Sequence, residues 1–128
     1  MPPVTSGVIL FAHGARDPRW AEPFLRLRDA VMARAPQTPV VLAFLEHLQP
    51  DMAAAADQLA AANLRSIRIV PLFFGRGGHL REDFPRLVDA ARAAHPEIRF
   101  EVTAAAGEDD AVQEALVRFS LEAPAGFA

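Results

Sequence analysis

The chain has 128 residues, of which 52% are hydrophobic and 23% are charged, the size and balance of one globular domain rather than a disordered chain. It contains no cysteine and no lysine, which excludes disulfides, thiolate metal sites, Schiff-base chemistry and P-loop nucleotide hydrolysis. The net charge of −3 argues against a nucleic-acid-binding protein, and no apolar run approaches the roughly 20 residues of a membrane span.

Short apolar runs alternate along the chain with longer amphipathic segments. The apolar runs predict strands at residues 7–12, 40–45, 66–70 and 98–102. Apolar residues spaced three and four apart predict helices at 16–34, from Pro50 to about Asn63, around 84–91 and around 112–119. This order predicts a single-domain α/β fold, a doubly wound open parallel sheet of about four strands with helices on both faces. We expect one domain over residues 1–128, with an ordered core of about 7–121.

Unusual polar residues follow the strands of the predicted sheet. His13 follows the first strand, Glu46 follows the second, and His79 follows the third after a glycine-rich loop. Ligands bind such sheets outside the carboxyl ends of the strands, so we expect these residues at one edge. Two histidines and a carboxylate suit an open site for a divalent cobalt, nickel, iron or zinc ion. Each residue alone also has an ordinary interpretation, as a polar strand end, a helix-preceding acid or a histidine near a helix start.

The two remaining histidines have weaker claims to a functional role. If the second strand continues, His47 points to the side opposite Glu46, so we expect it outside the site. His95 precedes Pro96 at a predicted helix end, which favours a capping or surface role.

The same edge carries the features of a ligand cleft. Arginines flank it, and arginine binds carboxylates through paired hydrogen bonds, although surface arginines are usually solvated or paired with acidic neighbours. Phenylalanines after the third strand supply an apolar wall, and the glycines beyond them let a ligand approach the backbone. Such a cleft suits a large, flat polycarboxylate that receives a metal ion. The residues predicted to bind this substrate are Arg16, Phe73, Phe74, Arg76, Gly77, Gly78 and Arg81.

Five short motifs together resemble the short, single-domain sirohydrochlorin chelatases of the CbiX/SirB type, the class II chelatases. Each motif alone is weak, but their order and spacing match over nearly the whole chain, from about Val8 to beyond Asp109. The motifs are HGARDP at 13–18, AFLE at 43–46, VPLF at 70–73, GGH at 77–79 and EDFP at 82–85. Two departures are Ala15, where the family usually has serine, and the stretch 74–76, where it often has a more apolar sequence.

The resemblance implies a fold, a reaction and roles for particular residues. It implies insertion of a divalent metal ion, cobalt first and iron or nickel as alternatives, into sirohydrochlorin without ATP, in cobalamin or sirohaem biosynthesis. His13 and His79 match the family's metal-binding histidines, and Glu46 matches its active-site glutamate. The implied protein is a cytoplasmic homodimer with no cofactor besides the substrate metal ion, and no nucleic-acid or membrane partner. The N-terminal residues, which have no basic segment and no signal-peptide core, agree with a cytoplasmic location.

Other functions remain open at this point. A metal or tetrapyrrole carrier would keep the site without turnover, and Ala15 gives this alternative some support because a hydroxyl is missing there. A histidine phosphatase needs arginine directly before the histidine of its nucleophile motif, but Ala12 precedes His13. A dinucleotide-binding domain needs a G-x-G-x-x-G sequence after the first strand, and the glycine-rich stretch at 75–78 lacks that spacing.

Overall fold

The computed structural model describes residues 5–75 and 77–127, apart from the side chain of His79. The four strands are β1 (Ser6–Ala12), β2 (Val40–Phe44), β3 (Ser66–Pro71) and β4 (Arg99–Val102). The four α-helices are α1 (Glu22–Arg34), α2 (Met52–Ala60), α3 (Gly78–Ala94) and α4 (Asp110–Glu122). Short 3-10 turns cover Pro18–Ala21 and Ala106–Glu108. The predicted alternation of strands and helices is therefore confirmed.

The four strands form one parallel sheet in the order β2-β1-β3-β4. The sheet order makes β1 the neighbour of both β2 and β3, so the residues that follow these three strands meet at one edge. Pairing runs through the proline at the end of β3, because Pro71 is opposite Phe11 and the N–H of Leu72 donates to the carbonyl of Phe11 over 2.8 Å. Strand β4 lies at the edge of the sheet, as its alternating sequence predicts.

Three predicted helix starts differ from the observed ones, two of them because of a capping aspartate. The helix predicted from Arg16 begins later, at Glu22, because Asp17 caps the preceding 3-10 turn by accepting a hydrogen bond from the N–H of Arg19. The helix predicted to open with Pro50 begins at Met52, since Asp51 is its N-cap. Helix α3 begins earlier than its apolar spacing indicates, at Gly78, so its first turn includes the last residue of the glycine-rich stretch.

One face of the sheet, which we call the closed face, is covered by α2 and α3. Alternate residues of the central strands, such as Ile9, Phe11, Ile67 and Ile69, are fully buried there. Three phenylalanine rings pack together there: Phe11 of β1, Phe73 of the loop after β3, and Phe84 of α3. Their centroids lie within 6.3 Å of each other, and two of the three pairs are nearly perpendicular. This dense aromatic and aliphatic packing makes the closed face the main core of the domain.

The opposite face, which we call the open face, is covered less completely. Helix α1 packs against β2, and its cluster has a small buried centre of Leu10, Ala12, Ala21, Leu42 and Phe44. Around this centre the apolar side chains, including Trp20, Phe24 and Val70, are only partly buried. Helix α1 itself contains no buried residue. The two faces of the sheet therefore differ in how far this chain alone covers them.

Helix α4 projects from the sheet, with every one of its residues exposed. Its main contacts are with the 3-10 turn that precedes it. Within the described ranges, no helix is both long and apolar enough to span a bilayer.

Candidate functional site

His13 and Glu46 meet at the carboxyl edge of the sheet. The Nε2 atom of His13 lies 3.0 Å from Oε1 of Glu46, and the backbone N–H of Glu46 donates to the carbonyl of His13 over 3.0 Å. Both side chains are about half exposed, at 54% and 51%. When Glu46 is ionised it only accepts hydrogen bonds, so this contact places a proton on Nε2 of His13. In neutral His13 the lone pair is then on Nδ1, where it is available to a cation.

Gly14 allows the close contact between these two segments. Its φ of +95° is a conformation that L side chains rarely adopt, and a Cβ there would collide with the carbonyl oxygen of Glu46. A side chain at position 14 would therefore push the loop after β2 away from His13. The short spacing between His13 and Glu46 depends on this glycine.

The structure places His47 beside Glu46, which corrects the prediction that it points away. Strand β2 ends at Phe44, and His47 adopts a left-handed φ of 69°, so strand alternation no longer determines its direction. Its Nε2 atom lies 3.8 Å from Oε1 of Glu46. Glu46 thus lies between two imidazole rings. No motif in the sequence indicates that β2 ends at Phe44, so the position of His47 could not be predicted from it.

An open cleft of about 510 Å³ runs from His13 along the loop after β3. It is lined by His13, Leu72, Phe73, Phe74, Gly75, Gly77, Gly78 and Leu80. Phe73 is buried, with its ring against Phe11 and Phe84, whereas Phe74 is 68% exposed. The predicted apolar wall thus has a fixed base at Phe73 and an exposed ring at Phe74, which is the arrangement of a surface on which a flat molecule could stack.

The turn before α4 holds this wall in place. The N–H of Gly107 donates to the carbonyl of Phe73 over 2.9 Å, and the amide of Gln113 donates to the carbonyl of Gly107 over 2.7 Å. A Cβ at Gly107 would collide with the backbone of Phe74. Gly107 is therefore a positioning residue of the cleft that the sequence analysis did not single out, because its contact joins two loops distant in the chain.

The predicted arginines do not all lie in one place. Arg81 lines a second cleft of about 400 Å³, which shares Gly75 and Leu80 with the first and continues to Glu108. Arg16 lies exposed in the loop after β1. Arg19, also exposed, makes a paired hydrogen bond with Asp17, and its guanidinium holds the pKa of the Asp17 carboxyl below its usual value. Arg76 lies outside the described residues.

His79 lies in the first turn of α3, directly after the glycines of the cleft, and its side chain is outside the description. Among the side chains that are described, no three histidines or carboxylates converge closely enough to hold a metal ion. His13 and Glu46 therefore need at least one further donor to form a metal site. The turn that carries His79 borders the same cleft as His13, since Gly77, Gly78 and Leu80 line it.

His95 lies away from this edge and has a structural role. It is the C-cap residue of α3, as expected, and its side chain is only 16% exposed. Its Nε2 atom lies 2.8 Å from Oδ1 of Asp57, which joins the end of α3 to α2.

Comparison with known proteins identifies the family. A family model described as CbiX matches residues 7–123. The chain belongs to the CbiX family. Among curated relatives, the sirohydrochlorin cobaltochelatase of Saccharolobus solfataricus is 30% identical over 118 residues, covering 88% of this chain and 91% of that protein. The sirohydrochlorin cobaltochelatase of Sulfurisphaera tokodaii is 27% identical over 110 residues, covering 86% and 87%.

Solved structures share the fold. A CbiX protein of cobalamin biosynthesis from Marinobacter aquaeolei VT8 is 25% identical, with a TM-score of 0.80 over 91% of this chain and 95% of that one. The sirohydrochlorin chelatase SirB from Bacillus subtilis in complex with cobalt is 20% identical, with a TM-score of 0.78 over 91% of this chain and 50% of that one. This CbiX-family chain thus spans about half the length of SirB, and the resemblance that its motifs indicated is confirmed.

Proposed function

We propose that the protein is a sirohydrochlorin chelatase that inserts a divalent metal ion, cobalt first and iron or nickel as alternatives, without ATP. The observation that carries the proposal is the 3.0 Å contact between His13 and Glu46 at the mouth of an apolar cleft, in a chain of the CbiX family. The names of the archaeal relatives support cobalt and sirohydrochlorin as the substrates.

His13 and His79 are the proposed ligands of the incoming metal ion. His13 offers the lone pair of Nδ1 while Glu46 accepts the proton on Nε2, the arrangement in which a carboxylate orients a ligating imidazole and makes it more basic. Two neutral imidazoles, with no thiolate available, leave the coordination shell of the metal ion incomplete. An incomplete shell suits a metal ion that must afterwards be transferred to the substrate.

The macrocycle is proposed to stack along Phe74, with its carboxylates toward the arginines at 16, 76 and 81. Along Phe73 and Phe74 the cleft is apolar and open to solvent. A flat ring too wide for an enclosed pocket could therefore lie on it. Gly77 and Gly78 carry no side chain that would stand between the ring and α3.

Metal insertion releases two protons, since two pyrrole N–H groups are replaced by bonds to the metal ion. Glu46 is the proposed acceptor of these protons, because it is half exposed beside the cleft and is the carboxylate nearest His13. His47, 3.8 Å from the same carboxylate, can pass a proton on to solvent. The products are the metallated ring and two protons, so the reaction balances without ATP or a redox partner.

The proposal includes a cytoplasmic homodimer that uses neither nucleic acid nor membrane. Two copies of this fold have the length of one SirB chain. The absence of lysine agrees with ATP independence, since the P-loop lysine is missing.

The test is metal insertion measured by absorbance, with purified protein, sirohydrochlorin and Co²⁺. We expect His13→Ala to lower the rate at least about 100-fold and Glu46→Gln to lower it about 10–100-fold. His95→Ala is the matched control, because that histidine lies away from the cleft, and it should keep the wild-type rate once its folding is confirmed. Wild-type insertion by His13→Ala would refute the site assignment. Binding of ring and metal by the wild type without any rate enhancement would identify a carrier instead.

A further inference from the structure

The loop after β2 contains a strained turn at His47. The N–H of Leu48 donates to the carbonyl of Glu46 over 2.9 Å, which closes a three-residue turn, and His47 at its centre has a φ of 69°. A γ-turn with a positive central φ is rare, and residues other than glycine seldom adopt it. Strain of this kind persists mainly at functional sites, so the turn points to a role for His47.

The residues on either side of this turn are anchored to the core. Leu45 packs against the main core on the closed face, and Leu48 packs against the cluster on the open face. The N–H of Leu45 also donates to the carbonyl of Ala12 at the end of β1 over 2.9 Å. The chain therefore crosses the edge of the sheet between two anchors, and Glu46 and His47 lie at that edge.

His13, Glu46 and His47 form a series that leads out of the cleft. His13 lines the cleft, whereas Glu46 and His47 do not. Both imidazoles approach the same atom, Oε1 of Glu46, with Nε2 of His13 at 3.0 Å and Nε2 of His47 at 3.8 Å. The side chain of His47 is 36% exposed, less than that of either other member of the series. His47 therefore contacts the carboxylate from outside the ligand-binding surface.

The position of the Glu46 carboxylate determines which nitrogen of His13 is free. Glu46 keeps the proton of His13 on Nε2 only while its side chain stays against that ring. Because Glu46 is half exposed, other rotamers that face solvent are open to it. An N–H on Nε2 of His47 attracts the same oxygen across 3.8 Å, which is longer than a hydrogen bond but within the range of a charge–dipole contact. This attraction favours the rotamer that contacts His13.

We propose that His47 is a positioning residue of the metal site, which holds the Glu46 carboxylate on Nε2 of His13 and so keeps Nδ1 of His13 free for the metal ion. The strained turn makes this possible, because a continued strand would direct His47 to the side opposite Glu46. The inference rests on the proposed function for the role of His13 as a metal ligand. It adds a residue that acts on this ligand through Glu46 and does not line the cleft.

The tautomer of His13 tests the proposal directly. The chain has four histidines, so the ring-nitrogen NMR signals of His13 can be identified by their loss in His13→Ala. At a pH where histidine is neutral, we expect wild-type His13 to be protonated mainly on Nε2. His47→Asn keeps the turn, since asparagine tolerates a positive φ, but its shorter side chain does not reach Glu46. It should lower the ratio of the Nε2–H to the Nδ1–H tautomer at His13 about threefold.

His95→Asn is the matched control for this measurement. It removes an imidazole that contacts another carboxylate, Asp57, away from the cleft, so it should leave the tautomers of His13 unchanged. Circular dichroism confirms that both variants fold. A ratio in His47→Asn equal to that of the wild type, or a wild type with His13 protonated mainly on Nδ1, would overturn the proposal.

Binding of Co²⁺ alone, measured by calorimetry without the ring, is the second readout. His47→Asn should weaken this binding about 3–10-fold, less than the loss of about 10–100-fold that is typical when a ligand's direct partner is removed. In the insertion assay, the same variant should lower kcat/KM for Co²⁺ by a similar factor. It should leave KM for sirohydrochlorin unchanged, since His47 does not line the cleft. A raised KM for the ring with unchanged Co²⁺ binding would show that His47 only supports the shape of the cleft, and the proposal would be wrong.

Insertion by the wild type separates this inference from the proposed function. A wild type that inserts Co²⁺ in a His13-dependent manner, but whose His13 tautomers do not respond to His47→Asn, removes the role of His47 and keeps the chelatase. If the tautomer and Co²⁺-binding results are as expected and no insertion occurs, the positioning role stands and the chelatase is wrong.

Discussion

The closed and open faces of the same sheet contrast in composition and in burial. On the closed face, β1 and β3 contribute Ile9, Phe11, Ile67 and Ile69, all without measurable exposure, beneath two helices. On the open face, α1 covers the sheet without burying any of its own residues, and Arg68 and Glu101 take positions that a covered core would fill with apolar groups. One chain therefore completes one face of the sheet, whereas on the other face the apolar cluster is smaller and only partly buried.

The largest expected effect comes from removing one aromatic ring from each face and comparing the losses in the free energy of unfolding. Phe84→Ala on the closed face should lower the free energy of unfolding by about 3–5 kcal/mol, since the buried ring contacts Phe11 and Phe73. Phe24→Ala on the open face should cost about 1–2 kcal/mol in the monomer, because that ring is only partly buried. Urea denaturation at low protein concentration measures both values. Equal losses would show that the faces are equally packed.

A smaller test compares two carboxylates. Asp57→Ala breaks the 2.8 Å contact with the mostly buried His95 on the closed face and should cost about 1 kcal/mol. Asp29→Ala removes the ion pair between Asp29 and Arg28, which are both in α1 on the open face. It should lower the free energy of unfolding by at most about 0.5 kcal/mol. Thermal melts at neutral pH provide the comparison. A larger loss for Asp29 would reverse the order that burial predicts.

The smallest effect concerns pH and the turn that leads into α1. Arg19 hydrogen-bonds to Asp17 and lowers the pKa of that carboxyl in the folded chain, so the ionised form favours folding. This contribution is fully present above the unfolded-state pKa and is lost as pH falls through the lower folded-state pKa. Wild type should therefore melt slightly above Asp17→Asn at neutral pH. The difference should vanish in strong acid, and a difference that grew on acidification would contradict the assigned sign.

Much of the fold could be predicted because its signals are local. Apolar runs and three-four spacing identified the four strands and four α-helices of the described residues, and the alternation implied a parallel sheet, which the structure confirms. The helix starts were less accurate, since Asp17 and Asp51 act as caps that the apolar spacing does not reveal.

The site was predicted only as a set of residues at one edge. The order of strands places the residues after β1, β2 and β3 side by side, as the rule for parallel sheets predicts. Loop conformations determine three contacts of the site. These are the 3.0 Å contact of His13 with Glu46, the position of His47 beside that carboxylate, and the close packing of Gly107 against the backbone of Phe74. His13 and Glu46 are far apart in the chain, as are Phe74 and Gly107, so no local pattern reports their contacts, and the direction of His47 depends on its left-handed backbone conformation. The metal-binding roles of His13 and His79 and the catalytic role of Glu46 stay predictions.

By itself, the sequence determined which residues are apolar and with what period, and hence the elements, the parallel sheet and the family. It also determined that histidines, carboxylates and arginines are the side chains available for binding metal ions and acidic ligands, since cysteine and lysine are absent. Only the tertiary structure decided that one sheet face is complete and the other is not. The reason is that burial depends on whether a second element covers a stripe, whereas the apolar spacing within a helix is the same whether that stripe is covered or exposed.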